Sequence, residues 1–167
     1  MDPGVTTVRR FEREDLARLP PGTDPGDRAH HEERLRMQER GEATYLVAWR
    51  GDRPCGRVTI LHCSKYAEVR RVLGRFPELN ALEAIPQGHG IGSQLIASAE
   101  ERAAATGHPT IGLAVGYDNP AALRLYLRLG YVEWRHGTVI DRWIERDEAG
   151  EVVGVHADPC RYLVKSL

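Results

Sequence analysis

The sequence predicts a mixed α/β fold with a largely antiparallel sheet, and three observations carry that prediction. Runs of β-formers, such as Ala43 to Trp49 and Cys55 to Leu61, alternate with longer segments of helical periodicity. Turn signals at Gly51-Asp52-Arg53-Pro54 and Asp147-Glu148-Ala149-Gly150 each join two strand-like runs as a hairpin. Between the hairpins an extended stretch, a Gly-rich loop, a helix and a further strand follow in order, which makes a right-handed βαβ unit with parallel strands.

Taken in order, Thr6 to Arg10 reads as a strand and Glu12 to Leu19 as a short helix with Phe11, Leu16 and Leu19 as apolar contacts. Pro20 to Gly26 is rich in Pro and Gly and reads as a loop. Arg28 to Arg40, closed by Gly41, is a charged helix whose pattern suits a solvated face. The first hairpin follows. His62 to Pro77 is locally basic, with Lys65, Arg70, Arg71 and Arg75 against Glu68, and reads as a loop or short helix. Glu78 to Ile85 returns as a strand. In the next helix Ile91, Leu95, Ala99 and Ala103 form one stripe, widened by Ile96, and Gly107 and Pro109 stop it. Burying Leu95 and Ile96 contributes roughly 1.5–3 kcal/mol each.

Thr110 to Val115 is a strand whose small residues Gly112 and Ala114 let something pack close. Asn119 is a good N-cap, Pro120 suits the first helical position and Gly130 suits the residue after the end, so Pro120 to Leu129 is a helix. Tyr131 to Ile140 is a strand region, Arg142 to Arg146 and Val152 to His156 flank the second turn, and Tyr162 to Leu167 closes the chain as a strand.

With 167 residues, 41% hydrophobic and 28% charged, the chain is expected to form one domain over 1–167 with a substantial core. A net charge of −1 supplies no general attraction to nucleic acid or to an anionic membrane, and neither is expected as a partner. No apolar run approaches membrane-spanning length, and a cytoplasmic location is expected. Cys55, Cys63 and Cys160 are odd in number and lack a C-x-x-C pair, and adjacent His residues point apart, so no metal site is expected.

The chemistry gathers around Gln87-Gly88-His89-Gly90-Ile91-Gly92. A tight Gly loop opening a helix converges backbone N–H groups, and the helix dipole adds partial positive charge, so the natural guest is a phosphate. A nucleotide-triphosphate loop is excluded because Ser93-Gln94 stands where Lys and Ser or Thr are needed, and the dinucleotide fingerprint lacks its third Gly. The run fits Gln/Arg-x-x-Gly-x-Gly/Ala. Together with Asn119, the Leu125-Tyr126 pair and Gly130-Tyr131 further on, it resembles the coenzyme A loop and following helix of the GNAT acetyltransferase superfamily.

That resemblance implies that the parallel strands splay apart, with helices on both faces of the sheet, and that acyl-CoA lies in the gap with acetyl-CoA as co-substrate. The cofactor contacts it implies are Ala84 and Ile85 through backbone, Gln87, Gly88, His89, Gly90, Ile91, Gly92 and Ser93 around the pyrophosphate, and Asn119 and Tyr126. The link between Pro86 and Gln87 is two residues shorter than the family pattern. Tyr126 resembles the general acid that protonates the departing thiolate. The base that takes the amine's proton is expected to be Glu83, with Glu78 second; an outward-facing strand residue is the other reading of Glu83. His31 and Glu32 fall in the region that walls the acceptor site in proteins of this kind. The expected function is N-acetyl transfer to a primary amine of a small molecule or peptide, by direct attack in a ternary complex. A non-catalytic acyl-CoA sensor is the alternative. A homodimer through the C-terminal strands is compatible with the pattern, which does not demand it.

Overall fold

In the computed structural model, which describes residues 4–167, the chain runs β1 (Thr6–Arg10), α1 (Arg13–Arg18), α2 (Pro25–Glu39), β2 (Ala43–Arg50), β3 (Arg53–Leu61), α3 (Ala67–Leu73), β4 (Glu78–Ala84), α4 (Ile91–Ala105), β5 (Thr110–Gly116), α5 (Pro120–Arg128), β6 (Val132–Glu133), β7 (Val139–Arg146) and β8 (Val152–Ser166). The strand order is β1-β2-β3-β4-β5-β8-β6, with β7 also pairing β8. Every pairing is antiparallel except β4 with β5.

Alternation along β2 sorts the two faces. Leu46 and Ala48 join Val58, Ile60, Leu79, Ile111 and Leu113 beneath α4, whose buried side is Ile91, Leu95, Ile96, Ala99 and Ala103. Tyr45, Val47 and Trp49 point the other way, into a core with Phe11, Leu19 and Leu35 from the α1–α2 region. On that second face, Tyr66, Val69 and Phe76 from the α3 segment pack with Trp134 and Tyr162. Helices therefore cover both faces. α5 lies on the α4 side, through Tyr126.

Several local outcomes differ from the sequence reading, each for a physical reason. α2 begins at Pro25, not Arg28, because the Asp24 carboxylate accepts from the N–H groups of Gly26 and Asp27 and Pro25 takes the first turn. It is not solvated all round, since His31, Leu35 and Gln38 are buried. The Gln38 amide spans the core edge, donating to the Phe11 carbonyl at 2.8 Å and accepting from the Tyr45 N–H at 2.9 Å. Tyr131 to Ile140 is not one strand, because Arg135 and Gly137 take positive φ and bend the chain between β6 and β7. β8 is continuous where two strands are read. Its first half has β7 on one side alone, which accommodates Pro159 with no N–H to offer.

Two features of β4 make the site. Only Glu78 and Leu79 pair with β5, opposite Gly112 and Leu113, after which the strands part. The pairing with β3 slips by one residue between Asn80 and Glu83, at Ala81 with φ 53°. This is a β-bulge, one residue of β3 facing two of β4. Because of it, Glu78 and Glu83, five positions apart, lie on the same face, opposite Leu61 and Arg57 respectively.

Candidate active site

The loop after β4 turns through Gly88 and Gly90, both at φ 77°, a left-handed conformation that favours glycine. Gly90 is the N-cap of α4, with no side-chain cap and no acidic residue in the first turn. The first-turn N–H groups are thus free to bind an anion. Facing them is a cavity of about 560 Å³ between the end of β4, the loop and α5. Its lining gathers Glu83, Ala84, Gln87, Gly88, Gly90, Gly92, Ser93, Asn119 and Tyr126 from the expected set, and adds Leu82, Ala122, Arg124 and Arg128.

Three expected contacts lie off this lining. The Ile85 side chain is exposed and its N–H donates to the Cys55 carbonyl at 2.9 Å, so that group is committed to β3. By strand alternation the backbone of Ala84 and Leu82 faces the open side. Ile91 is buried in the core, and His89 stands outside the cavity wall. Arg124 and Arg128, one helical turn apart, have no ion-pair partner among the described residues, and their spacing is the sequence signal that marks them.

Asn119 caps α5, its Oδ1 accepting from the Ala122 N–H at 3.1 Å. That helix carries Tyr126 to the parting of the strands. Tyr126 is 8% exposed, stands edge-on to Tyr131, and has no hydrogen bond to its hydroxyl among the described residues. Burial pushes its phenol up to about 12, which keeps the proton on oxygen at neutral pH.

The gap itself is a second cavity of about 200 Å³, lined by Tyr66, Glu78, Asn80, Ala81, Tyr126 and Asp141 among others. It shares Leu82, Asn119, Ala122 and Tyr126 with the larger one, so the two are contiguous. Glu78 is 1% exposed; the Tyr162 hydroxyl donates to it at 2.7 Å and the Lys65 N–H at 3.2 Å. Burial raises its pKa above the ordinary carboxylate value, and the hydrogen bonds from Ser64, Tyr162 and Lys65 restrain the rise. Lys65 also pairs with Asp141, tying the α3 segment to β7 across the gap.

Glu83 is placed differently. Its carboxylate meets the Arg57 guanidinium at 2.5 Å, and Arg57 reaches Asp27 of α2 at 3.1 Å. These three, with Asp24 and His31, line a third cavity of about 310 Å³ on the α2 face. His31 accepts or donates to the Tyr45 hydroxyl at 3.0 Å and stacks on Phe11. Burial lowers its pKa to about 4, so the ring is neutral at pH 7. Glu32, beside it, does not line the cavity. Among the described residues, no cluster of three or more His, Cys, Asp or Glu could hold a metal.

A splayed parallel pair, a bulged strand, and a Gly loop opening a helix beside the gap define an acyl-CoA transferase fold. The sequence matches the profile of the Acetyltransferase (GNAT) family over residues 10–131, and the chain belongs to that family. The family's acyl donor is acetyl-CoA, and the uncapped helix end, the 560 Å³ cavity and the Arg124 and Arg128 side chains on its wall fit it.

A search of curated proteins finds no significant match. Among solved structures, an N-acetyltransferase from Staphylococcus aureus Mu50 aligns with TM-score 0.66 at 15% identity, covering 98% of this chain and 99% of that one. An acetyltransferase from Salmonella typhimurium, solved with its cofactor acetyl-CoA, aligns with TM-score 0.62 at 16% identity, covering 98% and 95%. Spermidine N-acetyltransferase from Vibrio cholerae, in complex with CoA and spermine, aligns with TM-score 0.61 at 20% identity, covering 96% and 95%. At these identities the likeness is one of fold.

Proposed function

We propose that this protein moves an acetyl group from acetyl-CoA to a primary amine of a small molecule or peptide, by direct attack in a ternary complex. The observation that carries this reading is that a buried carboxylate, Glu78, and a buried phenol, Tyr126, with no hydrogen-bond partner among the described residues, line one gap contiguous with the cavity at the Gly loop. The pyrophosphate sits on the N–H groups opening α4, and Arg124 and Arg128 take outer phosphate charge. The pantetheine arm follows the open side of β4.

Glu78 takes the proton from the incoming ammonium, and its raised pKa brings it nearer the working pH than an ordinary carboxylate. The neutral amine adds to the thioester carbonyl, whose oxygen gathers charge against a β4 backbone N–H. The C–S bond then breaks, the departing thiolate takes the hydroxyl proton of Tyr126, the amide nitrogen gives up its second proton to restore that phenol, and Glu78 releases the first to solvent. Glu83, the residue first expected as base, is engaged with Arg57 and serves the acceptor side in this reading. The three free cysteines support a cytoplasmic setting. Exposed Trp143, Ile144 and Val155 on the β7–β8 hairpin support a homodimer through the C-terminal strands, which sedimentation tests.

The test is thiol release from acetyl-CoA over a panel of amines, with Tyr126→Phe, Glu78→Gln and Glu83→Gln. Tyr126→Phe is expected to lower kcat by about 10²-fold. Glu78→Gln is expected to abolish the acidic limb of the pH–rate profile, while Glu83→Gln leaves that limb and alters KM for the amine. Loss of the limb in Glu83→Gln instead would return the base to Glu83. Tight acetyl-CoA binding with no amine acetylated would turn the reading to a sensor.

A further inference from the structure

Arg75, at the end of the basic segment before Pro77, has no part in the chemistry above, and the structure puts it on the wall of a different cavity. α4 ends at Ala105, and a cavity of about 520 Å³ opens beside its last turn. That is within the usual size range of a small-molecule site. The floor is apolar, with Ile60 and Ala103 both 3% exposed.

The rim is cationic. Arg10 reaches it from the end of β1, Arg75 from the segment leading to β4, and Arg102 from α4, with His62 and His108 between them. Among the described residues, no Asp or Glu lines the cavity. Arg75 and Arg102 have no ion-pair partner among the described residues, and Arg10 has only Glu12, at 3.5 Å and half exposed. Nor does the helix end repel an anion strongly. The Thr106 hydroxyl donates to the Ala103 carbonyl at 2.9 Å, and the Gly107 and His108 N–H groups donate to Ala104 and Ala103.

Three guanidiniums arriving from separate elements over an apolar floor are matched by a group with several charged oxygens on an apolar body. A phosphate dianion offers three such oxygens, a lone carboxylate two. We propose that this cavity binds a phosphomonoester carrying an apolar group of up to nucleoside size, at a site separate from the acetyl-CoA cavity. The bound anion touches Arg75, three residues before Glu78.

Isothermal titration of the full chain with phenyl phosphate tests this, with inorganic phosphate and phenol as controls. Saturable binding is expected, at least about tenfold tighter than either control. It should weaken about tenfold or more in the R75A/R102A double variant, whose exposed, unpartnered side chains leave the fold intact by thermal melting. Ala105→Trp, which fills the mouth without altering charge, should weaken it likewise. Saturating coenzyme A should leave it unchanged. No saturable binding, equal binding by either variant, or displacement by coenzyme A would each overturn the site. None of these outcomes depends on whether an amine is acetylated.

Discussion

Glu78 is a carboxylate whose folded environment favours its proton, so the residue trades stability for position. Its pKa stands above the ordinary 4.5 because of burial. A group raised in this way contributes stability below its unfolded value, and that contribution is lost as pH rises through the folded value. Glu78→Gln removes the buried charge and keeps an acceptor for the Tyr162 hydroxyl. It should therefore unfold at a higher temperature than wild type at pH 7–8, by about 1.4 kcal/mol for each unit of the rise. The gap should close as pH falls toward 4.5, read by thermal melts across that range. Gly112 acts on the same carboxylate from outside. A Cβ there would run into the Tyr162 hydroxyl and come within 2.7 Å of the Phe76 ring. Gly112→Ala should cost about 1–3 kcal/mol in urea unfolding and disturb the hydrogen bond to Glu78, lowering kcat as well.

At the level of elements, α5 is a platform held at one end by a single side chain. Asn119→Ala loses the cap, about 1 kcal/mol, and frays the turn that leads to Arg124 and Tyr126. Its KM for acetyl-CoA should rise several-fold, measured beside a denaturation curve. This element was plain in the sequence because Asn119, Pro120 and Gly130 are local signals that need no partner. The Gly loop was plain for the same reason, since Gly88 and Gly90 answer a backbone requirement within the loop. The start of α2 was hidden because Asp24-Pro25 sits inside a Pro- and Gly-rich run. The bend after β6 was hidden because Arg135, not a glycine, takes one of its positive φ angles. The bulge at Ala81 was hidden likewise, and with it the placing of the two carboxylates. Period-two alternation puts residues 78 and 83 on opposite faces, and a slip set by tertiary pairing brings them to one. Arg57, which engages Glu83, lies on another strand, beyond the reach of any local pattern.

Across the whole molecule, the sheet is two antiparallel halves joined by two residue pairs, Glu78 with Gly112 and Leu79 with Leu113. A ligand filling the gap beyond that seam braces both halves. Acetyl-CoA at a hundred times its Kd should stabilise the fold by about 2.7 kcal/mol. Thermal melts should show this with acetyl-CoA and not with ATP or NAD. The seam's shortness has a further result for traffic through the enzyme. The gap is lined from both faces of the sheet, by Tyr126 on the α5 side and by Glu78, Tyr66 and Asp141 on the other. In the ternary-complex reading proposed above, donor and acceptor approach from these two sides, and neither must leave before the other can enter or depart. Initial-rate plots should intersect, without the parallel lines of a covalent relay, and free coenzyme A and acetylated amine should exit in either order.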